Sequence, residues 1–241
     1  MIDKSKGIVL HQLKYTDSGI VAQLYTLKYG RRSFLIKGMR KKKSGKHSAL
    51  FQPLTILDLE FYFKESRDMQ VIKEFSLHYS PADIFTDIKK TSVAIFLGEV
   101  LTSVLREETP NKDLFTFIED SIIYFDGCGE NFANFHISFL AGLSSYLGFE
   151  PGPRSGPDDI YFDLINGTFV PVPPLHGNFT DREISDILAA FFSSSYDNSR
   201  NIVLNGTLRN EALEVLVDYY SVHLPGLKKI RSLEVLKEVF G

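Results

Sequence analysis

LTILDLEFYF, residues 54–63, alternates without a break: Leu57, Leu59, Phe61 and Phe63 fall on one face of an extended chain, and Asp58, Glu60 and Tyr62 on the other. A period of two marks a strand with one buried side. The same period runs outward in both directions. Ile8, Leu10 and Gln12 alternate with Val9, His11 and Leu13; Ile20–Leu27 and Ser33–Lys37 are further runs, and Val71, Lys73, Phe75 and Leu77 make a fifth. Turn residues separate them at Thr16-Asp17-Ser18-Gly19, Tyr29-Gly30 and Lys64-Glu65-Ser66-Arg67. No helical crossover lies between these strands, which favours a small barrel over parallel βαβ units.

A five-stranded barrel of this size is an OB-fold, whose second and third strands and neighbouring loops face oligonucleotides. After Ser80-Pro81 the period becomes helical. Ile84, Ile88, Val93, Phe96, Leu97, Val100, Leu101, Val104 and Leu105 recur at three and four, and a break at Glu107–Pro110 follows. Leu114, Phe117, Ile118, Ser121, Ile122 and Phe125 continue the pattern, and Phe132–Leu147 makes another helix stopped by Gly148. Residues 149–178 are rich in Pro and Gly, and Asn166-Gly167 between two short apolar runs signals a hairpin. Thr180 with Glu183 reads as a capping box for Asp181–Ser194. Leu208–Leu224 follows with Leu213, Leu216, Val217 and Tyr220 inward, and Ser232 stands as the cap of Leu233–Phe240. The expected class is α+β: an OB-fold domain over 1–80, then a helical domain over 81–241 with a small β-hairpin flap at about 149–178.

Charge is divided unevenly. Residues 1–80 hold 15 Lys and Arg against 7 Asp and Glu, a net of +8; residues 81–241 hold 12 against 23, a net of −11. KGMRKKKSGK, residues 37–46, leaves the third strand with six cations and no carboxylate. Cations packed this closely repel one another, and a polyanion relieves that repulsion. The run stands beside the usual OB-fold binding face, so Arg31, Arg32, Lys37, Arg40, Lys41, Lys42, Lys43 and Lys46 are expected to neutralise phosphates, with Lys14 and Tyr15 of the first loop joining them. Tyr15, Tyr25 and Phe34 are the aromatics near the face; stacking on bases and packing in the barrel are both open for the two tyrosines, and packing is the favoured reading for Phe34. Phosphate contacts carry no base sequence, so binding should be sequence-tolerant.

Several chemistries find no support. Gly38 and Gly45-Lys46-His47 have the wrong spacing for a phosphate loop, and Gly127-Cys128-Gly129 lacks the third glycine of a dinucleotide fingerprint. The six histidines are scattered, and the single Cys128 cannot build a tetrahedral zinc site or a disulfide framework. No nucleophile elbow occurs, so no enzyme activity and no cofactor are expected. With neither a signal peptide nor an apolar run near the roughly 20 residues that span a bilayer, the expectation is a cytoplasmic protein without membrane contact.

Five stretches carry a likeness to a known family: GIVLHQLKYTDSGIVAQLYTLKYGRRSFLIKGMRKKKSG, LFQPLTILDLEFYF, PADIFTDIKKTSVAIFLGEVLTSVLREE, HISFLAGLSSYLGFEP and YYSVHLPGLKKIRSLEVL. Taken in order, they resemble the bacterial recombination mediators of the RecO family, essentially end to end. That resemblance implies binding to single- and double-stranded DNA, annealing of complementary strands, and work with RecR and single-strand-binding protein in loading RecA, at the nucleoid during repair. It also implies that the helical domain receives the acidic, apolar C-terminal tail of single-strand-binding protein. Lys89, Lys90 and Arg106, at the two ends of one long apolar-striped helix, are the expected rim cations of that groove; Lys228, Lys229 and Arg231, next to a proline-glycine turn, are the alternative and could equally extend the DNA path. Many family members carry a four-cysteine zinc module where this chain has the cysteine-free segment 149–178, so metal is not carried over. An OB-fold RNA-binding module joined to an unrelated helical domain is the alternative reading.

Overall fold

The computed structural model describes residues 1–16, 19–37, 50–106 and 109–241. Packing divides them into two compact units, Met1–Gly127 and Cys128–Gly241.

In the first unit, β1 (Ile2–Thr16), β2 (Gly19–Thr26), β3 (Gly30–Lys37), β4 (Ile56–Tyr62) and β5 (Met69–Tyr79) close into a barrel in the order β1-β2-β3-β5-β4. Closure depends on the length of β1. Its first half pairs with β4, from Ile2↔Tyr62 to Ile8↔Ile56, and its second half with β2, from Gly7↔Thr26 to Thr16↔Gly19. Gly7 stands at the changeover. A Cβ there would lie 2.8 Å from Leu59 Cδ1 and 3.1 Å from Leu24 Cδ2, so only glycine lets the strand come so near the barrel interior. A bulge follows between Val9 and His11. Leu54 and Thr55 bridge it, with Leu54 N donating to Val9 O and Val9 N to Thr55 O. Leu54 thereby takes a left-handed φ of 69°, so β4 starts at Ile56, two residues after the apolar run begins. β3 and β5 pair in parallel over Ser33–Leu35 and Met69–Val71.

Val9, Ala22, Leu24, Phe34, Ile36, Phe51, Leu57, Leu59, Phe61 and Ile72 fill the barrel. β5 departs from simple alternation. A register shift lets Phe61 face Ile72 while Glu60 faces Glu74, so Ile72 turns inward before the irregularity and Phe75 packs against the core after it. Gln70, fully buried, clamps the preceding turn: its Oε1 accepts from Lys64 N, and its Nε2 donates to Lys64 O and Arg67 O. At the other end Tyr29 and Lys28 both donate to Asp3. The Tyr29 hydrogen bond, then those of Lys28 and the Lys4 amide, hold the Asp3 carboxyl down at about 2. Burial and the same carboxylate push Tyr29 up to about 12.

Three helices complete this unit: α1 (Ala82–Thr86), α2 (Ile88–Val104) and α3 (Lys112–Gly127). Asp87 caps α2 by accepting from Lys89 N and Lys90 N. The buried Asp126 of α3 accepts from Tyr79 Oη, Ala82 N and Ile84 N, tying the end of β5 to the start of α1. Gly98 lets α2 lie close to the sheet, since a Cβ would meet Leu10 O at 3.2 Å and Pro53 Cβ at 2.9 Å.

The second unit comprises α4 (Phe135–Tyr146), β6 (Tyr161–Asp163), β7 (Thr168–Val170), β8 (Phe179–Thr180), α5 (Arg182–Phe192), α6 (Tyr196–Ser199), α7 (Gly206–His223) and α8 (Ser232–Phe240). The expected hairpin is β6–β7, turning at Asn166-Gly167, where Gly167 has φ +62°. β8 adds a third strand on the other side of β6. Asp163 organises the turn. Burial alone would raise its carboxyl, but donors from Asn166, His176 and the Ile165 amide outweigh that and hold it below the usual range.

Two expected caps differ. Asp181, not Thr180, caps α5 by accepting from Ile184 N; Thr180 belongs to β8, where its hydroxyl meets that of Ser185. Arg231 occupies the cap position of α8, and Ser232 is already the first helical residue. A polar residue before an apolar run marks a helix start only to within a residue or so.

Because the folded Asp3 carboxyl lies below its unfolded value of about 3.9, its contribution is fully present above that pH and is lost as pH falls towards 2. Asp3→Asn is therefore expected to lower thermal stability at pH 7. The gap between variant and parent should close between about pH 4 and 2 in melting curves followed by circular dichroism.

Candidate nucleic-acid interface

Paired residues in an antiparallel sheet share a face, so the register across β1, β2 and β3 maps the outside of the barrel row by row. The first row is Ile8–Tyr25–Arg31, the second His11–Gln23–Ser33, the third Leu13–Val21–Leu35, and Lys37 stands opposite Gly19 in the fourth. These rows have different neighbours. Ile8 is buried, Tyr25 is only 3% exposed and stacks on Phe115 of α3 with centroids 6.1 Å apart, and Arg31 Nη1 donates to Thr102 O of α2 at 3.0 Å. Helices cover this end. Towards the other end the same face opens: Leu13 is 57% exposed, Tyr15 60%, and Lys37 is exposed.

The bulge at Leu10 produces this arrangement. Plain alternation would put Val9, His11 and Leu13 together, yet Val9 pairs with inward Leu24, whereas His11 and Leu13 pair with outward Gln23 and Val21. One extra residue flips the face of everything after it. An apolar row flanked by polar and basic positions is thus laid across three strands. Bases can stack on such a row while lysines at its edge meet phosphates.

The expected contact residues separate accordingly. Lys14, Tyr15 and Lys37 are exposed at the open end. Arg31 faces α2. Arg32 pairs with Leu24 and so takes the inward phase, at the barrel end where it lies close enough to Tyr29 to oppose the rise of its hydroxyl. Arg40, Lys41, Lys42, Lys43 and Lys46 lie outside the described residues. Of the aromatics, Phe34 is core and Tyr25 is wedged under α3, leaving Tyr15 on the open surface. His11, Gln23, Leu13, Val21 and Leu35 are the additional members of the face. Their alternation was visible in the chain, but the bulge that turns them outward was not.

Lys89 and Arg106 are exposed at the two ends of α2. Lys90 is different: it is 2% exposed, its ammonium donates to Asp126 O at 2.9 Å and lies 5.6 Å from the Phe125 ring centre. It holds α2 against α3 and presents no cation to a groove rim. Beneath the barrel, Lys6 Nζ donates to both oxygens of the buried Glu119, at 2.6 and 2.7 Å. Among the described residues, no cluster of three or more His, Cys, Asp or Glu could hold a metal ion, and no helix is long and apolar enough to cross a membrane.

Two substitutions separate the covered and open ends. Tyr25→Ala should cost about 3 kcal/mol of stability, as for a large buried aromatic, whereas Tyr15→Ala should stay within about 0.5 kcal/mol. Urea unfolding of the two variants measures both.

Comparison with known proteins agrees with this architecture. The family model described as Recombination protein O N terminal matches residues 1–81, and that described as Recombination protein O C terminal matches 86–234. The chain is 37% identical to the DNA repair protein RecO of Phocaeicola vulgatus over 241 residues and 38% identical to that of Bacteroides fragilis over 242, each alignment covering both chains fully. It is 34% identical to the RecO protein of Flavobacterium psychrophilum over 239 residues, 99% of each chain. With both family models and full-length relatives in agreement, the chain belongs to the RecO family of DNA repair proteins.

Proposed function

We propose that this protein is a recombination mediator that binds single- and double-stranded DNA without sequence preference, acting without catalytic turnover and without a cofactor. The observation that carries the reading is the division of the barrel face: its covered end is occupied by α2 and α3, and its open end joins an apolar row to Lys14, Tyr15 and Lys37. The basic run Arg40–Lys46 follows Lys37 directly in the chain. Bases laid on Leu13, Tyr15, Val21 and Leu35 leave their phosphates for these cations, and lysines that contact phosphate read no sequence. Within that reading Arg31 and Arg32 act on the barrel more than on the ligand.

Annealing of complementary strands follows from the same charge, because a basic surface lowers the repulsion between two backbones. Loading of RecA together with RecR on coated single strands, in the cytoplasm at the nucleoid, is the setting we propose for it. The acidic, apolar tail of single-strand-binding protein is proposed to lie along α2, where Lys89 and Arg106 stand at the two ends and Ile88 and Ile95 are exposed. An apolar anchor with a cation at its rim suits such a tail.

With about five or six phosphates neutralised, log affinity for a single strand should fall with log salt at a slope of roughly −3.5 to −4. Replacing Lys41, Lys42 and Lys43 together by Ala should flatten the slope by about 2 whatever the base sequence. Tyr15→Ala should weaken binding by about 1–3 kcal/mol. Fluorescence anisotropy across a salt series reads all three; an unchanged slope sets the basic run outside the interface, and a preference for RNA of matching sequence favours an RNA-binding module.

A further inference from the structure

The open end of the barrel face is built in rows of different chemistry. His11, Gln23 and Ser33 carry hydrogen-bonding groups; Leu13, Val21 and Leu35, one row further from the helices, carry none. None of the six is a lysine, an arginine or a carboxylate. The cations stand beyond them: Lys37 opposite Gly19 in the next row, and Lys14 directly after Leu13 in the chain. With strands about 4.8 Å apart, the apolar row is about 10 Å across, and its neighbouring rows lie about 7 Å away along the strands. It is a narrow, uncharged strip. Leu13 is 57% exposed and Val21 and Leu35 are half-buried, so a ligand can lie on it without the barrel opening.

Such a strip selects among nucleic acids by what they can lay on it. A phosphate resting on three aliphatic side chains would lose water and meet no donor. The face of a base can cover them instead. Base faces are free only in an unpaired strand; in a duplex each is stacked on its neighbours, and the surface offers groove edges and phosphates. A single strand therefore has both the strip and the cations, and a duplex has the cations alone. Because the strip holds no donor or acceptor, a base lying on it keeps its pairing edge unengaged. Charge by itself works the other way. A duplex carries a charge about every 1.7 Å of its axis, twice the density of either of its strands, so a purely cationic surface would hold the annealed product more tightly than the strands it came from.

We propose that Leu13, Val21 and Leu35 make the barrel face selective for unpaired bases, and that pairing with a second strand withdraws this contact and loosens the annealed product. This rests on the DNA-binding reading of the same face and adds a direction to it. The cations gather strands of either kind, and the strip tells the unpaired strand from the duplex.

The test uses the full-length protein and reads fluorescence anisotropy with a labelled oligothymidine and with a duplex of the same length, each across a salt series. Leu13→Gln/Leu35→Gln should bind the single strand about tenfold more weakly than the parent and the duplex within twofold, with both salt slopes unchanged because no phosphate contact is lost. Leu13→Met/Leu35→Met keeps the strip apolar and should behave as the parent. If the glutamine pair fails to fold by circular dichroism, Leu13→Gln alone, at the most exposed of the three positions, carries the same comparison with a loss of about threefold for the single strand. Equal weakening of both ligands overturns the selectivity and leaves the barrel face standing as the DNA site. Unchanged single-strand affinity also overturns it; if replacing Lys41, Lys42 and Lys43 is equally without effect, the DNA-binding reading of the barrel falls with it.

Discussion

The close approach of β1 to the barrel interior at Gly7, and its bulge at Leu10, is the constraint on which the first unit depends. A single strand of 15 residues pairs with β4 through one half and β2 through the other, and so joins the two edges of the sheet. Gly7 removes the side chain that would strike Leu59 and Leu24. The bulge then turns the strand and is itself stitched by Leu54 and Thr55, whose amide and carbonyl meet Val9. The left-handed φ of Leu54 is the strained part of this arrangement, and burial of its side chain with one good hydrogen bond keeps it there.

From that bulge comes the separation of one sheet face into two regions with different work. Where Tyr25 and Arg31 point outward, α2 and α3 sit on them, and Gly98 allows the helix backbone to touch the strand. Buried charge in this region is matched: Glu119 by Lys6, and Asp126 by a tyrosine hydroxyl and two amides, while the Lys90 ammonium reaches the Asp126 carbonyl. Removing one member would leave another desolvated without a partner, so these residues belong to stability. Beyond the helices the face carries exposed apolar and cationic groups, which suits recognition.

The second unit solves a different problem. Its three-stranded sheet has strands of only 3, 3 and 2 residues, and Asp163 gathers the turn by hydrogen bonds while Phe162 packs on Phe169, Phe192 and Tyr219. Tyr219 and Tyr220 bury their rings and donate their hydroxyls to Phe149 O and Leu140 O, both at 2.6 Å. A hydrogen-bonded carboxylate and an aromatic core thus organise the segment where the family resemblance would lead one to look for four thiolates.

The sequence by itself determined the change of period near Ser80, the five strands, the hairpin at Asn166-Gly167 and the uneven charge, because periodicity, turn chemistry and composition are local properties. It also determined the family, through the order of motifs along the whole chain. Only the tertiary structure decided which of the candidate residues face outward. Tyr25, Arg31 and Lys90 look like ligands in a linear reading, yet each lies against a helix whose position no local signal carries. Leu13 and Val21 look like core, yet one bulged residue turns them out. Side-chain phase in a strand survives only until the first irregularity, and burial depends on what packs above. Both are set by contacts between segments far apart in the chain.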